Sequence, residues 1–136
     1  MIVMYVGERK HPECKIQSPS DTYAALQKFH NKRKEHFLAL TLNGAHIVVA
    51  VRLVSIGIVN RTIVHPREVF WWAIKDNACA VIVAHNHPSG CVEPSAEDKE
   101  ITMKLSQAGE ILGIEVLDHL IISKSGYFSF LEHGMM

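Results

Sequence analysis

The chain has 136 residues, of which 48% are hydrophobic and 21% charged, and its 14 basic side chains balance its 14 acidic ones. This composition is typical of a single soluble globular domain, and the balanced charge argues against a surface built for nucleic acid in general. The three cysteines lack CxxC spacing and no apolar stretch could span a membrane, so we expect a cytoplasmic protein without membrane contact.

The first part of the chain predicts an N-terminal arm followed by a helix. We expect residues 1–15 to form the arm and residues 16–136 to form the domain. Ser20 or Asp21 can cap a helix that ends near Asn31, because both side chains accept hydrogen bonds from a first helical turn. The basic residues near the helix end predict a solvated face rather than a binding site; they are Lys28, Lys32, Arg33 and Lys34.

Asn43-Gly44 is the strongest hairpin signal in the chain. It separates two apolar runs, His36 to Leu42 and Ala45 to Ser55, which we expect to pair as antiparallel strands. A third strand is expected from Ile58 to Val64. These strands would form the first part of a sheet whose remaining strands come later in the chain.

The second half alternates helices with strands. One helix is expected from Pro66 to about Asn77 and another from Ser95 to Leu112. The apolar run from Cys79 to Ala84 predicts a strand at the centre of the sheet. Strands from Ile114 to Ser123 and from Tyr127 to Phe130 complete an α/β fold, a single-domain mixed sheet with flanking helices. The helical residues expected to face the core are Val69, Phe70, Ala73, Ile74, Ile101, Leu105, Ala108 and Leu112.

Polar residues follow the central strand. His85 and His87 lie two positions apart at its end, so their side chains should share one face. Asp98 comes in the first turn of the next helix. Two neutral imidazoles and one carboxylate form a three-ligand zinc set that leaves the fourth position to water. Sites in open α/β sheets form beyond the carboxyl ends of central strands, where these residues are expected.

Ser95 and Asp98 also fit a simpler interpretation. Ser-x-x-Asp before an amphipathic helix is typical of a capping box. The two roles are compatible, because a helix N-terminus stabilises the ionised carboxylate that a metal needs. A hydrolase further requires a base, and we favour Glu35, at the entry to the first hairpin strand, over the glutamates that crowd the ligand loop: Glu93, Glu97 and Glu100.

Three other features have competing interpretations. Cys91 is expected to be a tolerated loop position, although its thiolate could instead approach the metal and displace water. Asp118-His119 is expected to join neighbouring strands, although the pair could instead orient a zinc ligand. In Trp71-Trp72, one ring is expected in the core and the other half-covering the surface, although a partner patch is an alternative.

The spacing His85-x-His87, seven residues, Ser95, two residues, Asp98 resembles the JAMM metalloprotease pattern of JAB/MPN domains. A finer resemblance is to the RadC family, and it covers roughly residues 16 to 132. It rests on four segments, His65-Pro66-Arg67-Glu68-Val69-Phe70, His85-Asn86-His87-Pro88-Ser89-Gly90, Pro94-Ser95-x-x-Asp98 and Leu117-Asp118-His119 through Ile122.

The resemblance implies a JAB/MPN architecture, related to the cytidine-deaminase-like fold. It implies Zn²⁺ bound by His85, His87 and Asp98, with water in the fourth position. Glu35 would then act on that water as general base, and Ser95 would stabilise the tetrahedral oxyanion. The implied activity is that of a JAMM-type zinc metallopeptidase, a hydrolase of peptide or isopeptide bonds in an unidentified peptide or protein substrate.

The main alternative is a RadC-type DNA-repair or plasmid-associated module that binds a nucleic acid or protein partner without proteolysis. RadC-like proteins often carry an N-terminal helix-hairpin-helix region, which we expect a chain of this length not to contain. The balanced charge also disfavours that alternative. A zinc deaminase is rejected because its pattern needs H-x-E and a later P-C-x-x-C. A metal-free scaffold is disfavoured because every ligand is present, and the oligomeric state is not predicted.

Overall fold

A computed structural model describes residues 13–57 and 64–136. Most of the predicted arm and of the predicted third strand lies outside the described residues. The strands are β1 His36–Leu42, β2 Val48–Ile56, β3 Ala80–Asn86, β4 Glu115–Ser123 and β5 Gly126–Ser129. The helices are α1 Pro19–Ala25, α2 Pro66–Lys75 and α3 Ala96–Leu112, with a short 3₁₀ helix at Gln27–Phe29. None of the described helices is long and apolar enough to cross a membrane.

The five strands form one mixed sheet in the order β2-β1-β3-β4-β5. Strands β3 and β4 are parallel and are joined through α3, whereas the other neighbours are antiparallel. The α/β fold predicted from the sequence, a mixed sheet with flanking helices, is therefore confirmed. Strand β3 lies at the centre, as its apolar sequence predicted, and all seven of its residues are buried.

Helices cover both faces of the sheet, which explains why β3 reads as one apolar run instead of an alternating pattern. Leu38 and Leu40 of β1 pack with Leu26 and Phe29, beneath α1 and the 3₁₀ helix. Phe37 and the neighbouring odd-numbered positions of β1 and β3 pack on the opposite face, against apolar residues of α2 and α3: Val69, Phe70, Ala73 and Leu105. Strand alternation therefore places His85 on the α2 and α3 face.

The first helix begins earlier than expected. Ser18 is its N-cap and Pro19 its first residue, where proline is tolerated because the missing N–H needs no partner. Asp21 is not the cap but the N3 residue, and its carboxylate accepts a hydrogen bond from the Ser18 N–H at 3.1 Å. The predicted helix also divides, since the α-helix ends at Ala25 and the 3₁₀ helix follows.

The β1–β2 hairpin is confirmed, but its loop is longer than Asn43-Gly44 predicted. The loop spans Asn43 to Ile47, and the left-handed residue is His46, with φ of 60°. The Asn43 Oδ1 accepts hydrogen bonds from the main-chain N–H groups of Ala45 and Ile47. An asparagine side chain thus closes this turn in place of a two-residue glycine turn.

Two predicted core positions are wrong. Ile74 of α2 and Leu112 of α3 are 61% and 48% exposed, and each lies in the last two residues of its helix. Gly109 is buried instead, and a Cβ there would clash with the Ile114 carbonyl oxygen. The absence of a side chain at Gly109 therefore allows α3 to approach the chain that leads into β4.

Candidate metal centre

The two histidines that follow the buried strand converge at one point. His85 belongs to β3 and is 1% exposed, and His87 lies just beyond the strand. Their Nε2 atoms are 3.0 Å apart. The i, i+2 spacing at the strand end accounts for this convergence, since alternate residues point to the same face.

Asp98 approaches both histidines from the first turn of α3. Its Oδ1 lies 3.1 Å from the His85 Nε2, and its Oδ2 lies 3.2 Å from the His87 Nε2. Ser95 and Asp98 also form the predicted capping box: the Ser95 N–H donates to Asp98 Oδ2 at 2.9 Å, and the Asp98 N–H donates to Ser95 Oγ at 3.0 Å. One carboxylate therefore closes the helix end and contacts the histidines.

The surroundings of Asp98 keep it ionised. Burial by itself would raise the pKa of its carboxyl group, but hydrogen bonds with His85 and His87, together with the Ser95 N–H, hold that pKa far below its ordinary value. The pKa of His87 is raised: burial acts to lower it, but is outweighed by the hydrogen bond to Asp98, the Cys91 carbonyl and the negative charges of Asp98 and Glu35. Without a metal, the carboxylate thus favours a proton on His87.

Glu35 lies beside the histidines, although it comes fifty positions earlier in the chain than His85. Its Oε1 is 3.8 Å from the His87 Nε2, and the main-chain O of Glu35 accepts a hydrogen bond from the Gly57 N–H at 2.8 Å. One donor atom each of Glu35, His85 and His87 lies within 4.8 Å of the others, so this group could hold a metal ion. Asp98 makes the shorter carboxylate contacts and reaches both imidazoles. Three local glutamates are solvent-exposed: Glu93, Glu97 and Glu100.

The outer nitrogen of His87 contacts the loop that follows it. His87 Nδ1 donates to the main-chain O of Cys91 at 2.7 Å, because a carbonyl oxygen can only accept. A neutral His87 then presents the lone pair of Nε2 to Asp98 and His85. Cys91 contributes through its backbone, and its side chain is exposed.

His119 and Thr102 perform the same function for His85. The Thr102 hydroxyl donates its one proton to the main-chain O of Asp98 at 2.7 Å, so it must accept from the His119 Nδ1–H, 2.5 Å away. Burial, followed by the charge of His85, lowers the pKa of His119 well below its ordinary value, which keeps this ring neutral. His119 Nε2 therefore accepts from the His85 Nδ1–H at 2.8 Å, and the His85 Nε2 keeps its lone pair.

Asp118 and His119 have different roles: Asp118 joins neighbouring strands, and His119 orients a histidine of the candidate site. Asp118 joins strands, since its carboxylate accepts hydrogen bonds from the Ser129 hydroxyl at 2.6 Å and from the Leu131 N–H at 3.0 Å. Burial raises the pKa of the Asp118 carboxyl group, against the effect of these hydrogen bonds. His119 instead orients His85. The expectation that both residues only join strands was therefore wrong for His119.

Sequence reasoning missed Thr102 and Asn86 in this region. Thr102 lies one helical turn after Asp98 and is 4% exposed, so a polar residue on the buried stripe of α3 was the available signal. Asn86 lies between the two histidines and is 1% exposed. Elsewhere, Trp71 is 55% exposed and Trp72 is half-buried with the Arg52 guanidinium 4.3 Å from its ring centre, so the predicted core ring is absent.

The chain is similar to known proteins over most of its length. A family model described as a RadC-like JAB domain matches residues 16–135. A UPF0758 protein of Trichlorobacter lovleyi is 53% identical over 123 residues, covering 90% of this chain and 54% of that protein. A UPF0758 protein of Rubrobacter xylanophilus is 48% identical over 122 residues, covering 89% of this chain and 53% of that protein.

A third relative, a UPF0758 protein of Staphylococcus haemolyticus, is 44% identical over 135 residues, covering 95% of this chain and 59% of that protein. The chain spans about half the length of the curated relatives it matches. The similarity therefore concerns about half of each of these proteins, and not their whole length.

Proposed function

The chain belongs to the RadC family of JAB domains, and we propose that it is a zinc-dependent hydrolase that cleaves peptide or isopeptide bonds. One observation carries this proposal. The Nε2 atoms of His85 and His87 lie 3.0 Å apart, and they lie 3.1 and 3.2 Å from the carboxylate oxygens of Asp98. The outer nitrogens of both imidazoles are bound by other groups, so the two Nε2 atoms and the carboxylate face one another. Without a metal, a proton on His87 links His87 to Asp98, and a bound cation would replace that proton.

The donor atoms have the chemistry and spacing that zinc requires. Zinc bonds of about 2.0–2.2 Å in a tetrahedron place ligand atoms about 3.3–3.6 Å apart. The contacts here are 3.0, 3.1 and 3.2 Å, so a small outward movement of each side chain would admit the ion. Two imidazoles and one carboxylate are also a ligand set of catalytic zinc sites. We therefore assign His85, His87 and Asp98 as the residues that would hold Zn²⁺.

Bound zinc would supply a Lewis acid that lowers the pKa of water to about 7 and polarises a carbonyl group. We assign Glu35 as the general base, because its carboxylate lies beside the ligands, farther away than Asp98. Glu35 would take the proton of the attacking water and pass it to the departing amine. Ser95 Oγ accepts the Asp98 N–H, so its own proton remains to be donated to the developing oxyanion.

The metal assignment is tested by the zinc content of protein purified without added metal. We expect about one equivalent in the wild type and a large loss in His87→Ala, since two ligands rarely retain catalytic zinc. His46→Ala is the control, because His46 lies in the β1–β2 loop at the far end of β1. Zinc absent from the wild type, or retained fully by His87→Ala, would contradict the assignment.

The activity is tested with an internally quenched peptide library and with an ε-linked lysyl isopeptide. Glu35→Gln should retain zinc and lose about 10²–10⁴-fold in hydrolysis, the range expected for a general base. Zinc-loaded protein that hydrolyses neither probe, but binds DNA with a strong salt dependence, would favour the nucleic-acid alternative. The family assignment does not specify a substrate or a partner, and the peptide or isopeptide substrate named here is a proposal.

A further inference from the structure

Asn86 separates the two histidines in sequence, and its side chain binds a different part of the molecule. Successive strand residues point to opposite faces, so Asn86 is directed away from the face that carries His85. It is 1% exposed, and its carboxamide has three partners. Its Oδ1 accepts from the His36 N–H at 2.6 Å, and its Nδ2 donates to the main-chain O atoms of Lys32 and Lys34 at 3.1 and 2.9 Å.

The chemistry of these partners fixes the orientation of the amide. One partner is an N–H group, which can only donate, and two are carbonyl oxygens, which can only accept. A flipped amide would therefore lose all three hydrogen bonds. A buried amide with both donors used and its oxygen bonded is costly to replace, because truncation leaves backbone groups without partners.

All three partners lie between Lys32 and His36, and they bracket Glu35. Residues 31–35 form neither helix nor strand, because β1 begins at His36. In the β1–β3 ladder Phe37 pairs with His85, so the Asn86 side chain continues the contact between these strands beyond that rung. It thereby fixes the backbone on both sides of Glu35.

We propose that Asn86 is a positioning residue that holds residues 32–36 so that the Glu35 carboxylate stays beside the two histidines. Because Asn86 lies between His85 and His87, it holds the segment that carries the base at the same strand end that carries the two histidines. The catalytic meaning of this contact rests on the proposed hydrolytic function, whereas the contact itself does not. Asn86 acts through Glu35 and touches neither substrate nor metal.

The test is Asn86→Ala, with Asn43→Ala as the matched control. Asn43 also binds two backbone N–H groups through its side chain, but at the opposite end of β1. On the quenched peptide library we expect Asn86→Ala to lower kcat by about 10²-fold with KM and zinc content unchanged, since small misplacement of a reacting group costs about this much. Asn43→Ala should leave kcat and zinc content unchanged.

A double-mutant cycle separates positioning from general damage. If Asn86 acts through Glu35, Glu35→Gln with Asn86→Ala should be no slower than Glu35→Gln alone. Asn86→Ser keeps a small hydrogen-bonding side chain without burying a charge, but it is too short to bind all three backbone groups. It is the second variant if the alanine variant proves unstable, and it should still show the kcat loss.

Amide hydrogen exchange gives a readout that does not depend on activity. The His36 amide should exchange at least tenfold faster in Asn86→Ala, while the amides of β1 that pair with β3 keep their protection. Unchanged exchange at His36, wild-type kcat, zinc loss in parallel with activity, or full additivity with Glu35→Gln would each overturn the proposal. If the wild type hydrolyses neither probe, the proposed function fails, and the exchange result alone decides whether Asn86 holds the segment.

Discussion

Replacing Thr102 with valine tests how the structure sets the state of His85. Valine has nearly the shape of threonine but lacks the hydroxyl that donates to Asp98 O and accepts from His119 Nδ1. His119 is fully buried, so its Nδ1–H would lose its only protein acceptor among the described residues. A buried donor without a partner costs about 1–3 kcal/mol, and we expect the metal-free variant to lose stability by that amount.

The effect on zinc follows from the proton positions. Without the Thr102 hydroxyl, His119 is no longer held with its proton on Nδ1. If the proton moves to Nε2, His119 donates to His85 Nδ1, and the His85 proton must move to the Nε2 that faces the site. Loss of such an orienting partner typically weakens zinc about 10–100-fold, which corresponds to about 1.4–2.8 kcal/mol.

Competition with a chelator measures the zinc affinity, and urea unfolding of the metal-free proteins measures the stability. Thr102→Ser is the control, because it keeps the hydroxyl and loses a methyl group, worth about 0.8 kcal/mol of burial. It should bind zinc within about twofold of the wild type. Equal zinc affinity in the valine and serine variants would refute the reasoning, since the variant without the hydroxyl would then bind zinc as well as the variant that keeps it.

Three further predictions concern pH, the cap of α3 and the packing of that helix. Zinc affinity should fall as pH falls, because the ligands must be deprotonated, and the raised pKa of His87 means that proton competition begins above its ordinary value of 6.5. In the metal-free protein, the raised pKa of His87 implies that protonated His87 stabilises the fold at low pH, and that this stability is lost as pH rises through the folded pKa. Urea unfolding midpoints measured across pH 5–9 should therefore fall with rising pH in the wild type. The same pH dependence in His87→Ala would assign the effect to another group. Ser95→Ala should lose about 0.5–2 kcal/mol of stability and about 10²–10³-fold in kcat. Ser95→Asp should recover the stability but not the kcat, because aspartate can cap a helix but an ionised carboxylate cannot donate to an oxyanion. If Ser95→Asp recovers both, Ser95 takes no part in the chemistry. Gly109→Ala should lower the free energy of unfolding in urea by about 1–3 kcal/mol, because its Cβ would meet the Ile114 carbonyl oxygen. Gly126→Ala is the control, because a Cβ there meets open space. Equal unfolding midpoints for the two variants would show that α3 can move away from Ile114.

Local patterns predicted the elements of this fold better than their ends. The apolar run before His85 indicated a central strand, because a strand covered on both faces has no polar side. The β1–β2 loop is longer than predicted, and α1 begins earlier than predicted. Contacts of the Asn43 and Ser18 side chains set these two ends, and the local sequence also offered other turn and cap residues. Ile74 and Leu112 were assigned to the core because periodicity reports which side of a helix is apolar, and not which positions on that side are covered by the rest of the chain.

The sequence by itself determined that His85, His87 and Asp98 can meet. The strand period and the helix start bring them together over fourteen residues with little help from the rest of the chain. Only the tertiary structure decided that Glu35 lies 3.8 Å from His87, that Asn86 binds the segment carrying Glu35, and that Thr102 and His119 leave a lone pair on His85. These contacts depend on which strands become neighbours in the sheet and on which helix face is buried. Spacing along a single sequence does not encode that pairing, because it arises from the packing of the whole core.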